Sequence, residues 1–243
     1  MKAFVVAEIA SNWEGSISKA KKLILNCKNA GADAVKFQMW RASDLYQGHP
    51  EWKNIKKSEL NFKKAKILKQ YCDSIKIEFF SSVFYPESVD FLESLKIKRY
   101  KIASRTSTLN DPFSKETLDQ VGLTRKPVVV SMGMGGDKKI ITKKMSKNNP
   151  QFCYCISKYP TKLNEIKWSD AIKYTGFSDH TLGTTAPLIF TMLHKQKGTK
   201  SIFIEKHVKN KNSKGPDASS SITTEELQEM VSHIRNIEKM NQL

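Results

Sequence analysis

Ser178-Asp179-His180 and Glu205-Lys206-His207 each close a short apolar run. Two imidazoles at the ends of neighbouring strands can share a divalent metal with a carboxylate and water. Lys36 and Lys101 lie inside other apolar runs, Glu8 ends the first, and the hydroxyls of Ser82, Ser104, Ser131 and Ser178 fall at run ends. Gly133 and Gly135-Gly136 follow Ser131 and form a turn whose backbone N–H groups can point inward. Lysines, hydroxyls and free amides are what a phosphate and a carboxylate require, so the expected ligand is an anion. Any one of these polar residues could equally be a satisfied core group. Their recurrence at the ends of successive runs favours a site. His194 and His233 fall in helical patterns and His49 in a loop, where exposed, non-ligating side chains are expected.

Eight short extended runs would have to position these groups: Ala3–Ile9, Ala34–Met39, Ile77–Ser82, Tyr100–Ser104, Val128–Met132, Phe152–Ile156, Thr175–Ser178 and Ile202–His207. Helical patterns alternate with them. Ile17, Ala20, Leu23, Ile24 and Cys27 recur at three-four spacing between Ser16 and Gly31. Pro86 opens another helix with Val89, Leu92 and Leu95 on one face, and Thr223 with Glu226 forms a capping box before Leu227, Met230, Ile234 and Ile237. Eight strand-helix units in about 250 residues specify an α/β protein, a single (β/α)8 TIM barrel over residues 1–243; a doubly wound sheet usually stops at five or six strands. Catalytic groups in a barrel stand at the C-terminal strand ends. There the reading places Glu8, Lys36, Gln38, Ser81, Ser82, Lys101, Ser104, Ser131, Ser178, Asp179, His180, Glu205, Lys206 and His207, all facing one mouth. The long connection Trp40–Ser58 is expected to be a lid or binding segment.

Composition narrows the class of protein. Of 243 residues, 39% are hydrophobic, enough to bury a sizeable core, and 41 basic against 24 acidic side chains give a net charge of +17. Such a charge attracts phosphates, nucleic acid included. Yet only Arg41, Arg99, Arg105, Arg125 and Arg235 are arginines, and arginine supplies the bidentate contacts nucleic-acid readers favour. Solvated lysine faces and no nucleic-acid partner are therefore expected. No apolar run approaches the ~20 residues of a membrane span, so no membrane partner is expected. No secretory or transit signal is visible after Met1-Lys2, which makes the cytoplasm the expected compartment. Cys27, Cys72, Cys153 and Cys155 lack zinc-cluster spacing and read as reduced interior thiols.

These motifs together carry a resemblance. Ala7-Glu8-Ile9 with Asn12 and Gly15, the run Ala30 to Gln38, Glu78-Phe79-Phe80-Ser81-Ser82, Tyr100-Lys101-Ile102-Ala103-Ser104, Ser131-Met132-Gly133-Met134, Tyr159-Pro160, Ser178 to Gly183, Ile204-Glu205-Lys206-His207 and Gly215-Pro216-Asp217 resemble the sialic acid synthase family almost from end to end. These are phosphoenolpyruvate-dependent synthases of N-acetylneuraminate and of nonulosonates such as legionaminate and pseudaminate. The resemblance implies condensation of phosphoenolpyruvate with an N-acylated amino-sugar aldehyde, like N-acetylmannosamine, to give a sialic or related acid and phosphate. A related aldol synthase with another aldehyde is the alternative.

By that resemblance His180 and His207 hold a divalent metal, manganese preferred and magnesium or cobalt allowed. Lys36, Lys101, Ser104, Ser131 and Ser178 bind phosphoenolpyruvate, with Ser82 where threonine is usual; Gln38, Tyr159 and Asp217 complete the substrate set. Glu8, Glu205 and His207 are the catalytic candidates, and which glutamate handles the proton stays open. Family members commonly continue into a small antifreeze-like domain that reaches the partner subunit's site. Dimerisation is common in the family, so a homodimer is expected; and because the sequence stops after the eighth helix, a separate antifreeze-like partner, without which the barrel is inactive, is a further expectation. Departures gather on the acceptor side. Arg105-Thr106 replaces a Gly-Glu that faces the sugar, Trp13-Glu14 replaces His-Asn, and Tyr154-Cys155-Ile156-Ser157 stands where His-Cys and an acceptor-contacting Asn are common. The expectation is a retained anion and metal half with an altered acceptor half. Arg105 either meets an acid on a different acceptor or points to solvent.

Overall fold

The computed structural model describes residues 1–241. Eight parallel strands close on themselves: β1 (Lys2–Glu8), β2 (Ala34–Met39), β3 (Glu78–Val83), β4 (Tyr100–Ile102), β5 (Val128–Ser131), β6 (Gln151–Cys155), β7 (Gly176–Asp179) and β8 (Ser201–Lys209) pair in chain order, and β1 also pairs β8. Closure runs the full length of β1, from Lys2 opposite Ser201 to Glu8 opposite His207. A two-residue strand, β9 (Ile222–Thr223), adds to the upper end of β8. The helices are α1 (Ile17–Asn29), α2 (Ala42–Leu45), α3 (Trp52–Lys57), α4 (Phe62–Ser74), α5 (Pro86–Ser94), α6 (Ser104–Ser107), α7 (Ser114–Thr124), α8 (Lys138–Lys144), α9 (Trp168–Ala171), α10 (Thr185–Gln196) and α11 (Thr224–Lys239). This is the expected single (β/α)8 barrel.

The helix boundaries follow the local chemistry. Ser16 caps α1 by accepting from Lys19 N, and Gly31 leaves it at φ +86°, a conformation that costs glycine little. At α11 the capping box is complete: Thr223 Oγ1 accepts from Glu226 N at 3.2 Å and Glu226 Oε2 accepts from Thr223 N at 2.7 Å. Two expected elements are shorter. β4 stops at Ile102 because Ser104 already opens α6, and the sixth unit keeps one turn, α9, after a 3-10 turn at Leu163–Glu165. The Trp40–Ser58 connection folds as α2 and α3 over the mouth, anchored by Trp40, Ala42 and Ile55 against Phe84 and Tyr85.

Side chains alternate across each strand, so every second residue enters the barrel. The outward set, including Val5, Ala7, Val35, Phe37, Phe79, Tyr100, Ile102, Val130, Phe177 and Ile204, packs the helices onto the sheet. The inward set forms two tiers. Val6, Ala34, Phe80, Val129, Cys153 and Phe203 make an apolar plug. Two residues further along the same strands come Glu8, Lys36, Ser82, Ser131, Cys155 and Glu205, with Lys101 and Ser178 from β4 and β7.

The same alternation corrects part of the expected mouth. Ser81, Asp179 and Lys206 fall on the outward phase. Ser81 Oγ donates to Phe37 O at 3.1 Å, and Lys206, fully buried, pairs with Asp179 at 2.5 Å and donates to Thr181 O. They tie neighbouring strands, and the loop after β7, to one another and do not face the mouth. His194, expected exposed, is buried on α10 beside Phe190, with Nδ1 2.8 Å from Thr199 Oγ1. The amphipathic face of α10 reaches further round the helix than spacing alone suggests.

Candidate active site

A cavity of about 440 Å³ opens at the C-terminal strand ends, and its walls include Lys36, Gln38, Ser82, Lys101, Ser104, Ser131, Tyr159, Ser178, His180, Glu205, His207 and Asp217. Of the expected site residues only Glu8 is absent from the wall; it lies fully buried beneath, ion-paired with Lys36. The expected set is therefore brought together by one tier of the barrel and the loops just above it.

The floor is a compensated cluster of charge. Lys36 Nζ donates to Ser82 Oγ at 2.8 Å and stands 3.6 Å from Glu205. Lys101 Nζ donates to Ser131 Oγ at 2.7 Å and to Glu205 Oε1 at 3.3 Å, which also accepts from Ser178 Oγ at 2.8 Å. The two carboxyls are driven apart. Burial, reinforced by Glu205, pushes Glu8 up to about 7 against the pull of Lys36. Burial acts the same way on Glu205, but Lys101 and Lys36 outweigh it and hold that carboxyl down to about 2. One carboxyl thus exchanges its proton near neutrality while the other stays charged.

Above the floor stand the imidazoles. His180 and His207 have ring centroids 5.4 Å apart, and Tyr159 lies 4.1 Å from the first ring and 5.9 Å from the second. His180 Nδ1 is 2.7 Å from Ile156 O; a carbonyl only accepts, so Nδ1 carries a proton and Nε2 is the atom left to ligate. Burial lowers this imidazole, but Cys155 and this carbonyl outweigh it and raise the ring above its ordinary value. His207 Nδ1 is buried without a hydrogen-bond partner, and burial lowers this imidazole to about 3, keeping it neutral. This is the pair that could hold a metal. Among the described residues no third His, Cys, Asp or Glu completes a protein-only cluster. Asp217 accepts from Ser11 N at 3.0 Å and ties the loop after β8 to the end of β1.

The rim adds residues beyond the expected site set. Cys155 lines the cavity, with Sγ 3.5 Å from Ser104 Oγ and 3.9 Å from His180 Nδ1. Burial raises this thiol, but His180, Ser104 and Lys101 outweigh it and leave it below the ordinary value. Its signal was present in the alternation of β6, which turns Cys153 and Cys155 inward together. Tyr46, Phe84, Met134 and Ser157 also line the cavity; they stand on loops, for which periodicity offers no guide. Arg105 lines the cavity with its side chain about one-third exposed, 32%. Its Nε and Nη2 donate to Asp111 at 2.6 and 2.9 Å, and the guanidinium lies 5.5 Å from the Tyr46 ring centre.

Comparison with known proteins agrees with this geometry. An uncharacterised protein of Methanocaldococcus jannaschii is 36% identical across 98% of this chain and 71% of its own length. The N,N'-diacetyllegionaminic acid synthase of Legionella pneumophila is 31% identical across 98% of this chain and 73% of its own. The crystal structure of an N-acetylneuraminic acid synthetase from Leptospira borgpetersenii, in complex with citrate, superposes with a TM-score of 0.86 over 98% of this chain and 85% of that one; at 23% identity it bears on the fold. The NeuB family matches residues 23–242. With that match and relatives above 30% identity spanning nearly its whole length, the chain belongs to the NeuB family, whose named members here are synthases of nonulosonic acids.

Proposed function

We propose that this barrel condenses phosphoenolpyruvate with a sugar aldehyde to give a nonulosonic or related keto acid and inorganic phosphate. The observation that carries the reading is the floor: two buried lysines, each bonded to a serine hydroxyl, converge with Glu205 below the two imidazoles. Lys36 and Lys101 take the phosphate and carboxylate oxygens, helped by Ser82, Ser131, Ser104 and Ser178, and their charge stabilises the departing phosphate.

The methylene carbon of phosphoenolpyruvate attacks the aldehyde carbon, forming the new C–C bond. Water adds to the cationic enol carbon, and the C–O bond to phosphate then breaks to leave the keto acid. Glu205, which lines the cavity, takes the water's proton in this reading, and one proton passes to the aldehyde oxygen as it becomes the new hydroxyl. A bound trianion competes for Lys36 and Lys101 and so raises its proton affinity. Glu8, fully buried behind Lys36, is the second carboxyl of the set and balances the charge of that lysine.

A divalent metal fits His180 and His207, because one imidazole keeps Nε2 free by donating Nδ1–H to Ile156 O and the other has a buried Nδ1 with no partner. When bound there, a metal supplies Lewis-acid polarisation of the aldehyde. Manganese is the metal to try first, then magnesium and cobalt. The test is phosphate release from phosphoenolpyruvate with manganese and a panel of aldehydes: N-acetylmannosamine, its 6-phosphate, 2,4-diacetamido hexoses and arabinose 5-phosphate. Acceptor-dependent release that chelator or His207→Ala abolishes is expected; release indifferent to both would overturn the metal assignment, and no release with any aldehyde would overturn the reading.

A further inference from the structure

We infer that Arg105 and Tyr46 form an anion subsite at the rim, and that the second substrate of the proposed synthase carries an acidic group, phosphate or carboxylate, remote from its aldehyde. The inference rests on the functional reading above and narrows it. Positive charge lines this cavity in two storeys. Lys36 and Lys101 form the floor, and both are already engaged by serine hydroxyls and Glu205. Arg105 stands higher, in the first turn of α6 and beyond the end of β4, on a wall it shares with Tyr46 and Met134.

The guanidinium is held for presentation. Asp111 does not line the cavity, and it grips the Nε and Nη2 edge from behind with the two-bond geometry that fixes an arginine plane. That grip uses two of the five N–H groups. Three N–H groups remain, and because the guanidinium donates one of them to the Tyr46 hydroxyl, two are left for a partner on the cavity side. Tyr46, from the segment folded over the mouth, brings a phenol beside the same guanidinium, and burial pushes its pKa up, so it stays a neutral donor. A planar cation with spare hydrogens next to a hydroxyl donor is the chemistry of a phosphate or carboxylate site. Phosphoenolpyruvate fills only part of about 440 Å³. A sugar whose aldehyde sits over the histidines therefore extends its far end toward this rim.

The acceptors that decide the point come in matched sets: N-acetylmannosamine, its 6-phosphate, and the corresponding 6-carboxylate. The wild type is expected to favour an acidic member over the neutral sugar by at least about tenfold in kcat/KM, in line with the loss of one charged contact. Arg105→Met should reduce that preference to within a few-fold and leave the KM for phosphoenolpyruvate unchanged. Arg105→Lys keeps a charge opposite Asp111, so it guards against loss of folding; it should lose more with a carboxylate or phosphate held by two bonds than a point charge would predict. Preference for the neutral sugar, or an acidic preference that survives Arg105→Met, would overturn the inference, as would a rise in the phosphoenolpyruvate KM. If no aldehyde is turned over, the synthase reading fails separately. Calorimetric titration of N-acetylmannosamine 6-phosphate then still decides the subsite: about tenfold weaker binding to Arg105→Met supports it, and equal binding overturns it.

Discussion

Replacing Lys206 by methionine removes one half of an ion pair that water does not reach. Lys206 is fully buried and Asp179 is 2% exposed. Nζ gives one hydrogen to Asp179 Oδ2 and one to Thr181 O, each at 2.5 Å. After the substitution Asp179 keeps Thr181 N at 2.9 Å and Thr181 Oγ1 at 3.0 Å, but its charge has no cation. Breaking one side of a buried pair costs about 3–5 kcal/mol. The two surviving hydrogen bonds hold the loss to the lower part of that range, about 3 kcal/mol, and the orphaned carbonyl adds about 1 kcal/mol. Urea unfolding should show this as a lower midpoint with unchanged slope. Adding Asp179→Asn removes the stranded charge and should return about half of the loss. Because Asp179 and Lys206 immediately precede His180 and His207, the single variant should also weaken any binding of manganese at the proposed histidine pair, measured directly by calorimetry. A loss below about 1 kcal/mol, or a double variant as unstable as the single one, would refute the argument that this pair organises the histidine-bearing strand ends.

Other outcomes follow from the same packing and charge. Glu8 is raised from its ordinary 4.5 to about 7 in the folded chain, so its contribution to stability is fully present below about pH 4.5 and is lost as pH rises through 7. The shift corresponds to about 3 kcal/mol. Glu8→Gln should flatten the pH dependence of unfolding across that window, and an unchanged profile would contradict it. At Gly133 an added Cβ would lie 2.7 Å from Ser157 Oγ, 2.8 Å from Cys155 Sγ and 2.9 Å from Cys155 O. Gly133→Ala should therefore cost about 1–3 kcal/mol and disturb Ser104, whose Oγ accepts from Gly133 N; thermal melting and the phosphoenolpyruvate KM report both. Thr223→Ala should cost about 1 kcal/mol by opening the capping box of α11, with no change in ligand binding.

Much of this molecule is legible in its residues. The barrel follows from eight apolar runs alternating with capped helices, and the floor of the site from polar residues at the run ends, because strand alternation fixes which side chains share an interior tier. The same rule, applied more strictly, would have turned Ser81, Asp179 and Lys206 outward and drawn Cys155 in. Strand ends are where the reading loses phase, since a run such as Ser178-Asp179-His180 looks uniformly polar and does not announce which members face the cavity. The rim was least legible. Tyr46 and Met134 reach the site from connections whose paths depend on packing, as Trp40 and Ile55 against Phe84 and Tyr85 show. Arg105 could be flagged by its charge but not aimed without Asp111, six residues on and out of any helical register with it.

The compensated floor also makes folding a reporter of occupancy. Glu8, Lys36, Lys101 and Glu205 are held out of water whether or not substrate is present, and an anion that settles on the lysines binds the folded chain alone. At a hundred times its dissociation constant such a ligand adds about 2.7 kcal/mol to stability. In a chain of this size that is a rise of several degrees in melting temperature, about 2–4 °C per kcal/mol. A thermal scan of candidate acids and sugar phosphates thus reads the chemistry of this cavity before any turnover is observed, and the acceptor that melts latest in the presence of phosphoenolpyruvate is the one to assay.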